Sequence, residues 1–574
     1  MAEKAINNYS SCFRMLKLLT PYRTLILMLA LLGLAGNGAT LVFPELIGRG
    51  VDSYTREAAV SEAIVHNFLA AIVAVAFLSS LQSLVQVYTS EKVARDLRQR
   101  ISDKLSRQSY QFVMGQGADK LLTNLTSDVD AIKLFVSQAI AGLLASVVIL
   151  AGGSVMLLRI NWRLGLSVLS IIPVIGLVFG LVLMKVRVLF KESREVVDRL
   201  NKVINESIVG AGLIRVLNKM ADEMKRFDRA NSRSLDVNLS IVRHFAVMLP
   251  IVMFTASMGT LIILLLGGKY VLAEQMTMGD LTAFVSYLGL LIFPIFMIGF
   301  MFGIIARARA SWERVYEVLD ASDSALSGTV EAGLGGLVEA KQLNLTLGEK
   351  RVLSDVSFTL RPGTRNAIIG PTAAGKTQLL YLMTGLTEPE SGSLIYDGRF
   401  SPVDLKHQVS MVFQESALFH TTLRENIAFH PEVTPEGFDK AVRTAELHEF
   451  VESLPEGLET VVSERGTSLS GGQKQRVMLA RALAVNPDIL LLDDFTARLD
   501  QQTEKRVLEN MRTNYPDLTL LAVTQRISTI VDYDNIILMM EGEVLASGTH
   551  AELLDASPDY RQIFESQKST HEYE

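Results

Sequence analysis

Residues 370–377 read Gly-Pro-Thr-Ala-Ala-Gly-Lys-Thr, the pattern G-x-x-x-x-G-K-[ST]. An apolar run at 366–369 precedes it and a helical run at 378–384 follows, which is the strand–loop–helix context that the pattern needs. In such a loop, backbone N–H groups wrap phosphates, Lys376 neutralises the terminal phosphate oxygens, and the Thr377 hydroxyl can ligate Mg2+. A second strand pattern at 489–492 ends in Asp493, which would reach the Mg2+ shell at the carboxyl end of the strand. A Ser and two glycines at 470–472, inside Leu-Ser-Gly-Gly-Gln (469–473), precede a helical run at 474–484 and form a second anion-gripping turn. One chain thus offers two phosphate-binding surfaces.

These motifs need a parallel sheet to carry them. From about 337 to 574, short β-branched runs (366–369, 489–492, 518–523, 535–539) alternate with helical patterns, which predicts an α/β domain with a mostly parallel sheet. The preceding half is different. Six apolar stretches at 24–47, 68–88, 138–158, 164–184, 245–267 and 281–303 are each about the length that crosses a bilayer. The long gaps between them, 89–137 and 185–244, hold eight and thirteen Lys and Arg, and the short gaps two, two and one. By the positive-inside rule the long gaps and both termini face the cytoplasm. The long gaps are rich in helix formers, with interruptions at 115–119 and 210–212, and read as helices that run on past the membrane, turn and return. The predicted domains are 1–320, a Ser/Gly/Ala-rich linker at 321–336, and 337–574; a short amphipathic segment at 12–19 precedes the first span.

Composition agrees with this division. The 574 residues are 49% hydrophobic and 20% charged, below the usual charged share of soluble domains. A single Cys (Cys12) excludes a disulfide scaffold and any multi-Cys metal site. A net charge of −6 and the absence of a recognition motif argue against nucleic acid as a partner. The N-terminal residues do not read as a secretory signal.

Taken in order, 370–377, Gln414, 469–473, Asp493 and 499–500 resemble the motif series of the ATP-binding cassette (ABC) transporters. Six spans plus one cassette resemble the half-transporter of the type I (type IV) exporter fold. The resemblance implies ATP and Mg2+ as cofactors. Gly370, Thr372, Ala373, Ala374, Gly375, Lys376, Thr377, Gln378 and Gln414 would hold the nucleotide, and Thr377, Gln414 and Asp493 the metal. It also implies that cassettes pair head to tail, with Ser470, Gly471, Gly472, Gln473 and Asp500 serving the opposite chain's ATP. Glu464 would lie in the X-loop, and 115–125 and 208–216 would be coupling helices.

Four residues depart from that family. Asp494 stands where the family has the Glu that polarises water, and Gln525 stands where it has a switch His. Asp is one methylene shorter, which sets the carboxylate back by about 1.5 Å. Gln can hydrogen-bond a phosphate but cannot carry charge. Ala373 replaces a common Gly, and Leu347 occupies the place of the adenine-stacking aromatic. A site that holds Mg-ATP but cleaves it slowly, beside an intact signature, resembles the degenerate-site subunit of heterodimeric bacterial exporters. The resemblance implies an inner-membrane protein with a second half-transporter as partner and the lipid bilayer around it. The alternatives are a homodimeric exporter or lipid flippase with two slow sites, or an importer of a chelated metal or siderophore. For cargo, Asn37, Glu45, Gln82, Gln86 and Gln138 are the polar candidates within or near the spans, and the fifth and sixth spans are rich in Met and Phe. These lean toward hydrophobic or amphiphilic small molecules such as drugs or lipids.

Overall fold

The computed structural model describes residues 18–57, 59–323, 333–348, 350–405, 407–415 and 418–571. Cys12, most of segment 12–19 and most of the linker lie outside them. The chain divides into two compact units: Met1–Leu105 with Asp119–Ala321, and Ser106–Ala118 with Ser322–Glu574.

Among the described residues, the first unit holds six helical runs long and apolar enough to cross a membrane. They are α1 (Thr20–Arg56), α2 (Glu62–Leu105), α3 (Ala118–Ile160), α4 (Trp162–Val209), α5 (Met220–Leu272) and α6 (Met278–Leu319). Each contains one predicted span. The 44 residues of α2 extend about 66 Å, twice the hydrocarbon thickness, so the polar part of the first long gap is helix, as its composition predicts. The first turn breaks within the expected interruption at 115–119 and also earlier, after Leu105. A short helix, Tyr110–Gln116, starts at Ser109, whose side chain accepts from Phe112 N, and ends at Gly117 with φ 80. The segment grouped with the second unit is Ser106–Ala118, which overlaps the expected 115–125 at 115–118. The second turn is the short helix Ala211–Val216, within the predicted 208–216.

Helices α1 and α6 meet at backbone distance. A Cβ on Gly48 would lie 2.6 Å from Gly279 O, and one on Gly279 would lie 2.1 Å from Gly48 O. Gly279 N–H donates to Asp52 Oδ1 (2.7 Å), and the buried Tyr287 hydroxyl donates to Leu41 O (2.8 Å). Asp128, 2% exposed, receives the Arg314 guanidinium, with Nε 2.9 Å from Oδ2. Helices α4 and α5 pack chiefly on each other.

Two of the polar candidates of the spans have ordinary partners. Asn37 donates to Gly33 O (2.7 Å), Gln82 lies against Gly33, and Glu45 pairs with Arg49. Gln86 is half-buried, and Gln138 is exposed within a π turn, Phe135–Ala139. The Met/Phe set divides: Met248 and Met301 are buried and Phe296 packs edge-on to Phe179, while Met253, Phe254, Phe293, Phe300 and Phe302 are exposed.

In the second unit, a six-stranded sheet has the order β5-β6-β7-β3-β8-β9. It comprises β3 (Arg365–Ile369), β5 (Val409–Val412), β6 (Ile489–Asp493), β7 (Thr519–Val523), β8 (Asn535–Met540) and β9 (Glu543–Gly548). Pairing is parallel up to β8, and β9 joins antiparallel. The central strands β6 and β7 are buried at every position, as unbroken apolar runs in a covered parallel sheet should be. A separate antiparallel sheet, β2-β1-β4 (Lys350–Leu360, Val338–Leu347, Ser391–Tyr396), was not anticipated from the sequence. Its strands carry many polar residues and alternate irregularly around bulges, which weakens the period-two signal.

Candidate nucleotide site

Parallel register brings the chemistry together. Ile368 pairs with Val523 and Val523 with Asp493, so the loops leaving β3, β6 and β7 emerge side by side at one sheet end. Val412 pairs with Leu492, which adds Gln414 from the end of β5. Helix α7 (Lys376–Met383) starts from the first loop and points its N-terminus at the same place. The result is a cavity of about 340 Å3. Thr372, Ala373, Ala374, Gly375, Lys376, Thr377, Gln378, Gln414, Asp493, Asp494 and Gln525 line it, together with Leu347 at the expected aromatic position.

Gly370 does not line the cavity. Its φ is 156, and a Cβ there would meet Met539 O at 1.9 Å, so glycine lets the loop leave β3 tight against β8. Its carbonyl, with that of Pro371, accepts from Lys376 Nζ (2.7 Å each). Ala373 sits at φ 67, a left-handed conformation that glycine adopts without strain and alanine does not.

The electrostatics fit a charged phosphate ligand. Burial holds the Lys376 ammonium below its ordinary pKa, against the opposing pull of Asp493 and Asp494. Burial raises the Asp493 carboxyl, while a hydrogen bond from Thr377 and the Lys376 charge draw it down. Burial also raises Asp494, whose φ of 49 turns the chain sharply after β6. Asp493 is 2% exposed and its Oδ2 has no partner among the described residues. A buried carboxylate oxygen left unpaired beside a hydroxyl and an ammonium is a donor set that suits a divalent cation with phosphate.

Ser470–Gln473 and Asp500 are not among the residues that line this cavity. Ser470 caps helix α8 (Gly471–Ala484): its Oγ accepts from Gln473 N (3.2 Å), and Gln473 Oε1 accepts from Ser470 N (2.8 Å). Asp500 caps α9 (Gln501–Asn514) by accepting from Thr503 N (2.9 Å), a bond that lowers its pKa. Glu464 opens the short turn Glu464–Gly466.

Sequence reasoning missed Lys350 and Val352 at the cavity, because they lie on a strand without a motif; Val523, the end of the expected strand run 518–523, also lines it. It also missed Arg498, whose side chain and carbonyl lie against Gly471 and Gly472. Tyr110 was not singled out either. Its ring lies 5.3 Å from Tyr381 of α7, which lies 6.1 Å from Phe413, next to Gln414.

Residues 26–295 match the ABC transporter transmembrane region, and residues 353–497 match the ABC transporter family. The Bacillus subtilis (strain 168) protein described as uncharacterized ABC transporter ATP-binding protein YfiB is 34% identical over 497 residues, 85% of this chain and 86% of its own length. The chain belongs to the ABC transporters. A Mycobacterium tuberculosis (strain CDC 1551 / Oshkosh) protein described as a fatty acid ABC transporter ATP-binding/permease protein is 29% identical over 605 residues, 97% of this chain and 96% of its own. The solved structure of a bacterial Atm1-family ABC exporter with ATP bound superposes with a TM-score of 0.76 at 22% identity, covering 95% of this chain and 99% of that one. The transporter therefore has the type IV exporter fold, with six spans followed by a cassette, and is a multi-pass membrane protein.

Proposed function

We propose that this chain is one half of a two-chain, ATP-driven exporter of hydrophobic or amphiphilic small molecules. Its own site holds Mg-ATP and cleaves it slowly, and its signature turn completes a faster site on a partner. The observation that carries the reading is one cavity in which the binding groups Lys376, Thr377 and Asp493 are kept while Asp494 and Gln525 replace both hydrolytic groups.

Each residue's part follows from its chemistry. Lys376 exchanges the carbonyls of Gly370 and Pro371 for phosphate oxygens. Thr377, Asp493 and Gln414 would hold Mg2+, which when bound neutralises charge on the phosphates. Asp494, with the shorter side chain, stands back from the line of attack, and general-base geometry tolerates little displacement. Gln525 donates to the terminal phosphate without adding positive charge. Ser470 and the glycines that follow present a helix N-terminus free of this chain's own cavity, the form an in-trans contribution takes. Arg and Lys in the long gaps support a cytoplasmic cassette and termini, in the inner membrane of a bacterium. The fatty-acid relative and the exposed Phe and Met side chains of α5 and α6 support an apolar cargo.

Purification of the chain alone and together with a half-transporter that carries the usual Glu and His tests this. The chain alone binds ATP and turns it over slowly, and the pair turns it over briskly. Brisk hydrolysis by two identical copies rejects the reading.

A further inference from the structure

The loop that carries Gln525 is held at both edges. On one side Thr524 N–H donates to Ile368 O of β3 (3.2 Å), and Arg526 N–H donates to the Thr524 hydroxyl (3.1 Å). On the other side the partner comes from a remote part of the chain. Gln567 Nε2 donates to Gln525 O (2.6 Å), and Ile527 N–H donates to Gln567 Oε1 (2.9 Å). One side-chain amide thus grips the carbonyl of the switch residue and the amide two positions on, in the manner of a single rung of a β-ladder. Only a carboxamide of this length both donates and accepts here; a carboxylate would set an acceptor against the Gln525 carbonyl.

Gln567 is itself anchored. It lies on α11 (Pro558–His571), which follows α10 (His550–Ala556). Tyr560 of α11 is fully buried, and its hydroxyl bonds His550 Nδ1 (2.8 Å). The Arg561 guanidinium donates to Leu554 O (2.6 and 2.9 Å) and Asp555 O (3.0 Å). Ile563 and Phe564 pack on the cassette core. The last helix is therefore a fixed post rather than a tail, and its amide reaches the switch loop.

We infer that Gln567 is a positioning residue: it sets the backbone from Gln525 to Ile527 so that the Gln525 side chain faces the cavity, and it ties the C-terminal helix to the reading of the terminal phosphate. The second half of this rests on the role proposed for Gln525; the clasp itself does not.

Hydrogen exchange on the full-length transporter separates the two. The probes are wild type, Gln567→Met (same length, neither bond), Gln567→Glu (acceptor only) and Gln525→Ala, each without nucleotide, with Mg-ADP and with Mg-ATP. Without nucleotide, Gln567→Met speeds exchange across 524–530 at least threefold, Gln567→Glu speeds it less, and β6 exchanges as in wild type. Unchanged exchange at 524–530, or faster exchange throughout β6 and the core, overturns the clasp. With nucleotide, wild type shows extra protection of 524–530 in ATP over ADP. Gln525→Ala abolishes that difference, and Gln567→Met reduces it at least threefold with the ATP Kd within twofold. A difference that Gln567→Met leaves intact overturns the positioning role. No ATP-over-ADP difference in wild type removes the role assigned to Gln525 and leaves the nucleotide-free result to decide the clasp.

Discussion

On the proposed reading, two side chains, Asp494 and Gln525, govern how fast this nucleotide site can work. Both line the cavity with Lys376 and Asp493, so each can be restored without rebuilding the site. In the proposed two-subunit complex, Asp494→Glu together with Gln525→His raises ATP turnover by tenfold or more, since a positioned acid–base group contributes about 10²–10⁴-fold. Steady-state hydrolysis measures it, and an unchanged rate moves the handicap to other positions, with Ala373 and Leu347 next in line. Those two were visible in the sequence as departures from a pattern. Ala373 proves to sit at φ 67, so its methyl lies where the backbone favours glycine, and Leu347 stands on the cavity rim. Lys350 and Val352 share that rim and were not legible, because a strand residue has no signature apart from the neighbours the fold gives it.

At the level of elements, one cap and one buried carboxyl invite separate tests. Ser470 holds the start of α8 through a reciprocal pair of bonds with Gln473. Ser470→Ala costs about 1 kcal/mol of stability, seen as a lower Tm. It also slows the partner's hydrolysis while ATP binding to this chain's own cavity, which the 470–473 turn does not line, is unaffected; loss of that binding contradicts the in-trans assignment. Glu504 on α9 is 3% exposed, with Oε1 unpaired among the described residues and the Arg526 guanidinium 3.9 Å from Oε2. Burial raises its pKa above the ordinary value, with Thr496 and Arg526 pulling the other way. The folded state therefore binds this proton more tightly than the unfolded chain does. Ionisation works against the fold as pH rises through the raised pKa, and the penalty vanishes below the unfolded value. Glu504→Gln accordingly raises the Tm relative to wild type more at pH 8 than at pH 4, and an equal gap at both would assign the effect to packing. Element identity was largely readable: the apolar runs that became β3, β6, β7 and β8 are short, β-branched and bounded by turns. The antiparallel sheet was not, since its bulged strands mix polar and apolar residues in no clean alternation. In the first turn of the long hairpin the break at Gly117 was legible, inside the expected interruption at 115–119, while the earlier break after Leu105 was not, since residues 106–109 contain no Gly or Pro.

For the whole molecule, direction of transport follows from the proposed orientation. Inside-out vesicles that contain the two-subunit complex accumulate an apolar cargo on addition of ATP; accumulation in right-side-out vesicles instead would indicate import. The six spans were legible in full, because a length near 20 apolar residues and the placement of Lys and Arg are global features that no tertiary contact needs to supply. What the sequence could not supply is which spans touch. Gly48 and Gly279 are separated by most of the first unit in sequence, and each is an unremarkable small residue by itself. Together they allow two backbones to meet, with Asp52 and Tyr287 fastening the crossing. Helix α6 begins at Met278 and runs 42 residues, about 63 Å. Its second residue is thus the pivot end of a long lever. A single methyl at position 279 is a wedge under that end, and tilting the rod by a few degrees there sweeps its far tip through several ångströms.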